Sequence, residues 1–142
     1  MHATPVRPNT QSAFTNAYRH VSIETGVSGA SAHQLVTMLF DGVQDSIAQA
    51  RGAIQARNTQ LKGRAISRAV RIVDEGLRGA LNAQASGSLA LYLRDLYGYI
   101  TLRLTQANLG NDDKALAECA ALIEPLRIAW RAIGPQVQGA AR

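Results

Sequence analysis

Apolar residues recur at steps of three and four in four long segments of this chain, the pattern of helices that bury one side. The segment from Ser88 to Leu109 carries two such rows instead of one. Its first row contains Leu89, Leu93, Leu96, Ile100, Leu104 and Ala107. Its second row, nearly opposite, contains Leu91, Leu102 and Leu109, with Tyr92 and Tyr99 beside them. One row can face a core, so the second row needs another partner.

The two preceding helices are each predicted with a single inward row. The first begins at Ser31, which with Gln34 has the spacing of a capping box, and ends at Asn58-Thr59. Its inward residues are Leu35, Leu39, Val43, Ile47, Ala50 and Ile54. The second runs from about Gln60 to Asn82 and is followed by a short turn at 83–87. Its inward residues are Ile66, Ala69, Val73, Leu77 and Leu81.

The last helix is predicted to begin after Asn111-Asp112, because carboxylates and amides cap the free amides of a first turn. Gly134-Pro135 ends it. Its inward row contains Leu116, Cys119, Ile123, Leu126, Trp130 and Ile133. Pro125 lies inside this pattern and predicts a kink or a break, since proline cannot donate a helix hydrogen bond.

No segment alternates apolar and polar residues as a strand does, so the predicted fold is all-α. Four long amphipathic segments with short connections favour an elongated antiparallel four-helix bundle with a short N-terminal helix or arm. We expect residues 1–30 to form a flexible N-terminal arm, 31–134 the bundle and 135–142 a disordered tail. Within the arm, Ala13 to Ile23 forms either a short helix or an extended segment. The hydrophobic share of 46% is too high for a disordered chain.

The residues that carry catalysis are not grouped in this sequence. His2, His20 and His33 lack the spacing of a zinc site, and a phosphotransfer histidine would stand in mid-helix, whereas His33 lies in a first turn at a solvated helix end. Cys119 falls on an inward row and reads as a small core residue. No glycine-rich phosphate loop is present. The prediction is therefore a protein that is not an enzyme, with no metal and no cofactor.

A basic row follows the second helix, consistent with the net charge of +5. It contains Arg57, Arg64, Arg71 and Arg78 at steps of seven, with Arg68 between them. Such a row is either a solvated face, partly paired with Glu75, or a grip on phosphates. The second reading gives the alternative function, a basic helical nucleic-acid-binding or regulatory protein. Stacking aromatics beside the row would support it, and the aromatics lie elsewhere in the sequence.

The second row of the Ser88–Leu109 helix favours a protein partner. Two neighbours in a four-helix bundle subtend about a right angle, so packing within the bundle explains opposite rows poorly. Gly98 beside this row leaves room for close approach. The predicted partner-binding site is a helix-in-groove site, with a homodimer face as its rival; its residues are Leu91, Tyr92, Gly98, Tyr99, Leu102 and Leu109.

Tyr18, Val21 and Ile23 lie outside the predicted bundle, on the N-terminal segment. An arm with an aromatic anchor can dock into an apolar groove and act as a lid over it. The compatible alternative is the ordinary packing of a short extra helix.

Several short motifs together resemble the flagellar secretion chaperone FliS family, whose members are flagellin export chaperones. They occur in the family's order along nearly the whole chain: Ala17-Tyr18-Arg19-His20-Val21, Leu35 to Gly42 with Met38-Leu39-Phe40-Asp41-Gly42 at its centre, Leu96-Tyr97-Gly98-Tyr99-Ile100, Leu104, Ala107-Asn108 and Ala129-Trp130. The chain departs from the family pattern at Ser31-Ala32-His33, Phe40 and Gly98, and its loop 24–30 is longer.

The resemblance implies a cytoplasmic all-α bundle that binds the C-terminal segment of flagellin, prevents premature polymerisation and aids delivery to the flagellar type III export apparatus. Export-apparatus components and a second copy of the free protein are further candidate partners. No nucleic acid and no membrane insertion are expected. The resemblance also implies that the tyrosine-bearing arm covers the groove until flagellin displaces it, and Tyr18 is the matching position.

Overall fold

The computed structural model describes residues 8–19, 21, 29–82 and 87–135, and these residues contain helices and no strand. The helices are α1 (Pro8–Ala17), α2 (Gly29–Gln55), α3 (Thr59–Arg71), α4 (Ser88–Gly110) and α5 (Asp113–Ile133). A π-helical segment, Ile72–Arg78, continues α3. The prediction of an all-α bundle is confirmed. α1 begins at Pro8, earlier than the Ala13 suggested by the hydrophobic pattern; proline suits a first turn, where its missing N–H costs no bond.

The four long helices form a bundle in which α2 packs against α3 and α5, and α4 packs against the same two helices. Cross-helix contacts show that neighbours run antiparallel. Arg51 near the end of α2 meets Asp113 at the start of α5, whereas His33 in the first turns of α2 meets Trp130 near the end of α5. α1 lies across one end of the bundle, against α4 and α5.

The buried row of α2 differs from the predicted one. Val43, Ile47 and Ala50 are buried as expected, but Leu35 is 40% exposed, and Leu39 and Ile54 are only partly buried. Ala32, Val36 and Phe40 take the inward positions near the start of the helix. The physical reason is that a four-residue step overshoots one helical turn by about 40°. A row read at steps of four therefore rotates off the core, which follows mixed steps of three and four.

The inward row of the second predicted helix is confirmed, because all of its residues are buried: Ile66, Ala69, Val73, Leu77 and Leu81. The predicted continuous helix to about Asn82 is wrong in its last part, since the α-helix ends at Arg71 and the π-helical segment ends at Arg78. Most of the predicted turn at 83–87 lies outside the described residues. Asn58 marks the boundary by capping α3, since its side-chain oxygen accepts from the Leu61 amide at 3.1 Å. The sequence analysis missed Lys62, which is buried. Its ammonium donates to the Asn108 carbonyl and the Asn111 side chain. A positive charge thus supplies a hydrogen bond at the C-terminal end of α4, where the last carbonyls lack partners within the helix.

α5 begins and ends where the sequence predicts. Asp112 caps it by accepting from the Ala115 amide at 3.2 Å, and Gly134, with φ 73°, ends it. The inward row is confirmed at Leu116, Cys119, Ile123 and Trp130, while Leu126 and Ile133 are partly buried.

Pro125 leaves α5 unbroken, so the predicted break is absent. The proline removes the amide that would bond to the Ala121 carbonyl. Both residues lie on the exposed side of the helix, where water can take that carbonyl. The cost of the missing hydrogen bond is therefore small enough for the core row to hold the helix continuous.

A charged network joins α5 to α2. Arg127 donates to Glu124 at 2.9 Å and to Asp41 at 3.0 Å, and Gln44 donates to Glu124 at 2.9 Å. The hydrogen bond from Arg127, with that from Gln44, lowers the pKa of Glu124 to about 2. The folded state therefore favours the ionised carboxylate.

This network predicts a pH dependence of stability. A lowered pKa contributes stability that is present above the unfolded value of 4.5 and is lost as pH falls toward about 2. Urea unfolding of the wild type and of Glu124→Gln should show the wild type more stable at neutral pH, with the difference shrinking between these two values. The contribution is modest because the pair is partly exposed. A difference that stays constant down to about pH 2 would contradict the assignment.

Candidate functional site

The second row of α4 lies on the surface. Leu102 is 55% exposed and Leu109 is 83% exposed, and Leu91 and Tyr92 are also more than half exposed. Large apolar side chains are ordinary on a surface when they are scattered, but several along one helix face mark a binding surface. The exposure predicted from the sequence is therefore confirmed, whereas partner binding stays a prediction.

The first row of α4 explains why the second row faces outward. Leu93, Ile100, Leu104 and Ala107 are fully buried, and Leu89 and Leu96 pack partly against the core. With that side turned toward α3 and α5, helix geometry places the opposite side in solvent. Tyr97, which the sequence analysis left out of the core, is fully buried as well. The sequence signal for this burial was the helical spacing of Tyr97 from the first-row residues Leu93, Ile100 and Leu104.

The predicted flanks of the second row contact neighbouring helices. The Tyr99 hydroxyl donates to Glu118 on α5 at 2.5 Å, and this hydrogen bond raises the pKa of Tyr99. A Cβ atom added at Gly98 would lie 3.8 Å from the Arg78 guanidinium. The space beside Gly98 is thus bordered by a cation of the π-helical segment, which gives one edge of the second row a positive charge.

α1 is seated on aromatic side chains at one end of the bundle. The Phe14 ring lies 5.0 Å from the Trp130 ring and 6.4 Å from Phe40, and the Tyr18 ring lies 5.4 Å from Trp130, all three pairs edge-on. We call Phe40, Tyr97 and Trp130 the aromatic seat. Such edge-to-face pairs stabilise by about 0.5–1.5 kcal/mol each beyond the area they bury. α1 is therefore held mainly by packing.

Two hydroxyls fix the position of α1 in the seat. The Tyr18 hydroxyl donates to the Leu77 carbonyl at 3.0 Å and lies 2.7 Å from the Tyr97 hydroxyl. Because the single Tyr18 proton is used on Leu77, Tyr97 donates to Tyr18. Burial raises the pKa of both phenols, so both stay protonated and the pair holds at neutral pH.

His33 does not stand at a solvated helix end, as the sequence analysis expected. Its ring stacks on Trp130 with the ring centroids 4.8 Å apart. Its Nε2 lies 2.8 Å from the Trp130 carbonyl, and the Trp130 indole donates to the His33 carbonyl at 3.1 Å. The His33 side chain therefore helps to hold Trp130 in place in the aromatic seat.

The structure does not bring the arm and the second row together. Tyr18 contacts Tyr97, which faces the core, whereas Leu91 and Leu102 face solvent. Val21 is buried with α1, and Ile23 lies outside the described residues. The aromatic seat and the second row are consequently two separate surfaces of α4.

The basic row of α3 is divided among several roles. Arg68 donates to Ser46 on α2 at 3.1 Å, and Arg78 pairs with Asp74 at 3.5 Å, not with Glu75. Arg57 lies in the turn before α3 with φ 56°. Arg64 and Arg71 are exposed on the outer face of α3. The row is therefore partly engaged within the bundle and partly open to solvent.

Within the described ranges no three His, Cys, Asp or Glu residues stand close enough to hold a metal ion. Cys119 is fully buried, as predicted, and burial raises the pKa of its thiol to about 12. A thiol that stays protonated at neutral pH is a poor nucleophile. No helix in the described part of the chain is long and apolar enough to cross a membrane.

The fold and the site define a class: a small antiparallel helical bundle with an apolar helix face open to solvent and an N-terminal helix seated on aromatic residues. A family model described as Flagellar protein FliS matches residues 14–137, which include every residue of the second row and of the aromatic seat. The chain belongs to the FliS family of flagellar secretion chaperones.

Curated relatives carry the same description. The chain is 41% identical to the flagellar secretion chaperone FliS of Salmonella typhimurium over 84% of its own length and 89% of the relative's. It is 42% identical to the Escherichia coli protein of the same name, over 82% and 86%. The FliSB protein of Pseudomonas aeruginosa is 40% identical, over 82% and 91%.

Proposed function

We propose that this protein is a flagellin-specific type III export chaperone. It binds the C-terminal segment of flagellin in the cytoplasm, prevents premature polymerisation and aids delivery to the flagellar export apparatus. Membership of the FliS family supports this role. The structural observation that carries it is the second row of α4, a line of large apolar side chains in solvent with no role in the core.

The dimensions of the second row suit an amphipathic segment of a partner. Leu91 and Leu109 lie near opposite ends of α4, so the row extends about 27 Å along the helix. A partner segment that is disordered when free can bury apolar residues along this length while it loses conformational entropy. That loss lowers the net affinity, which suits a chaperone that must release its substrate. No catalytic step is needed.

α1 serves in this proposal as a removable cover. Its seat is lined by Phe40 and Trp130, which α1 shields from water through Phe14 and Tyr18. A long partner that already occupies the second row can reach the seat and replace α1. The exposed row would then provide the first contact, and the aromatic seat a second contact that opens only afterwards.

Salt dependence separates this proposal from the nucleic-acid alternative. Titration of a labelled flagellin C-terminal peptide at about 50 and about 200 mM salt should give nearly the same affinity, because apolar burial depends little on salt. Binding through several phosphates would weaken roughly a thousandfold or more over that range. A DNA duplex titrated in parallel is the control. Tight, salt-sensitive duplex binding with no peptide binding would favour the basic row of α3 as the functional surface.

Oligomeric state tests the rival use of the second row as a homodimer face. Sedimentation of the free protein and of the peptide complex distinguishes the two uses. A dimer that dissociates as peptide binds shows that one face serves both roles. A dimer that binds peptide without dissociating places the substrate elsewhere.

A further inference from the structure

The C-terminal end of α3 lacks the backbone feature that ends the other long helices. α2, α4 and α5 are each followed by a residue with positive φ, namely Arg57 at 56°, Asn111 at 50° and Gly134 at 73°. Such a residue turns the chain out of the helix and lets following amides bond to the last carbonyls. Residues 79–82, which follow the π-helical segment, contain no positive φ. Their own backbone therefore does not stop the helix.

An α-helix continued through residue 82 would have a definite pairing. The Leu81 amide would donate to the Leu77 carbonyl, and the Asn82 amide to the Arg78 carbonyl. In the structure Leu81 donates instead to Arg78 at 3.1 Å, a tightened last turn. Because of this shift, the Leu77 carbonyl and the Asn82 amide have no hydrogen bond to their α-helical partners, Leu81 and Arg78, and both bond to groups outside the helix.

α1 and the residue that follows it supply both of those partners. The Tyr18 hydroxyl donates to the Leu77 carbonyl at 3.0 Å, and the Asn82 amide donates to the Ala17 carbonyl at 2.7 Å. Ala17, the last residue of α1, and Tyr18, which follows it, thus occupy the donor and the acceptor that helix continuation would use. A tertiary contact therefore satisfies the backbone groups at this end, which lacks the positive-φ residue that follows α2, α4 and α5.

The backbone at Gly79 shows that this ending excludes a side chain. The Gly79 amide bonds to Asp74 five residues earlier at 2.9 Å, as in a π-helix, and a Cβ atom added at Gly79 would collide with the Glu75 carbonyl. In an ordinary α-helix the same position favours alanine over glycine by a factor of about five. Gly79 therefore fits the α1-docked geometry and disfavours the continuous helix.

We propose that docking of α1 sets the end of α3. While α1 is seated, α3 ends in the π-helical segment; when α1 leaves, residues 72–82 wind into one continuous α-helix. The Leu77 carbonyl and the Asn82 amide are satisfied in both states, by α1 in one and by α3 itself in the other. The docking of α1 and the conformation of residues 72–82 then change together in one equilibrium, so a substitution that alters either one shifts the other.

This equilibrium connects the aromatic seat to the second row without depending on which protein binds there. Arg78 is the last residue of the π-helical segment, and its guanidinium lies beside Gly98 at the edge of the second row. Rewinding from wide π turns to α turns rotates Arg78 about the α3 axis. Departure of α1 thus moves a cation at the edge of the exposed face of α4.

The variant Gly79→Ala in the full chain tests the proposal from the α3 side. Its added methyl disfavours the docked ending, so α1 should leave its seat more often and expose Trp130, the one tryptophan of the chain. Acrylamide quenching of Trp130 fluorescence should rise several-fold. Gly63→Ala is the matched control, because it lies in the same helix and a Cβ atom there meets nothing within 4 Å.

Nuclear magnetic resonance detects directly which carbonyl accepts the hydrogen bond of the Asn82 amide. Scalar coupling across the hydrogen bond should join the Asn82 amide nitrogen to the Ala17 carbonyl carbon in the wild type and in Gly63→Ala. In Gly79→Ala the coupling should move to the Arg78 carbonyl carbon. If Gly79→Ala matches Gly63→Ala in quenching and keeps the Ala17 coupling, the proposal is overturned.

A second variant, with its substitution in α1, keeps the proposal testable if Gly79→Ala misfolds. Phe14→Asp places a charge against the aromatic seat and releases α1 without changing α3. The Asn82 amide should then couple to Arg78 and stay protected from hydrogen exchange. Rapid exchange of that amide, with no carbonyl coupling, would show that the α3 end frays when α1 leaves, which also overturns the proposal.

Discussion

Replacing Leu102 with Asp should abolish binding of the flagellin C-terminal segment while leaving the bundle folded. Leu102 is 55% exposed on α4, so the free protein tolerates a charge there. In the complex the substitution loses about 1.5–3 kcal/mol of apolar burial and adds the cost of burying an unpaired carboxylate. The expected loss of affinity is roughly a hundredfold or more. Isothermal titration with the peptide measures it, and far-ultraviolet circular dichroism checks the helix content.

The matched control for this variant is Ile128→Asp. Ile128 is 56% exposed and lies on α5, outside the second row, so the same chemistry is introduced at nearly the same exposure. Peptide affinity should stay close to the wild-type value in Ile128→Asp. Equal losses in both variants would mean that net charge, not the α4 face, governs binding. Normal binding by Leu102→Asp would remove the second row from the site.

Replacing Trp130 with Ala should cost about 3–5 kcal/mol of unfolding free energy, the usual effect of removing a large buried aromatic side chain. Trp130 contacts α1 and the residue after it through Phe14 and Tyr18, and it stacks on His33 of α2. Its removal therefore loosens two helices and leaves a cavity in the aromatic seat. Urea unfolding followed by circular dichroism measures the change.

Tyr92→Ala is the control for the Trp130 variant, since Tyr92 is an aromatic residue more than half exposed on α4. Its unfolding free energy should stay within about 0.5 kcal/mol of the wild type. A loss below about 1 kcal/mol in Trp130→Ala would show that α1 and His33 rearrange to fill the space, and that the seat is not a fixed element of the bundle.

Helix number and most helix ends could be predicted because they depend on neighbouring residues. Asp112 and Gly134 act within one helical turn, so their roles in α5 are visible in the sequence. Rows that keep mixed steps of three and four, as in α4 and α5, also identify the buried side. In α3 the steps of four from Ala69 to Leu81 stay buried because they run through the π-helical segment, whose turns are wider. The α2 row failed at Leu35 because steps of four drift around the helix.

The candidate site was predictable only in part. The second row of α4 was visible because a large apolar residue opposite a complete core row has no intramolecular use. The aromatic seat was not visible, because Phe40, Tyr97 and Trp130 come from three helices far apart in sequence. His33 illustrates the same limit: its stacking on Trp130 joins residues that only the packing of α2 against α5 brings together.

The sequence by itself determined an all-α chain, the position of its helices and the presence of an apolar face on α4 without a core partner, since each depends on periodicity and capping over a few turns. The tertiary structure alone decided that Tyr18 hydrogen-bonds to Leu77 and Tyr97, that the aromatic seat is separate from the second row, and that the Asn82 amide donates to Ala17. These features depend on contacts between residues that are distant along the chain, and local patterns carry no information about such contacts.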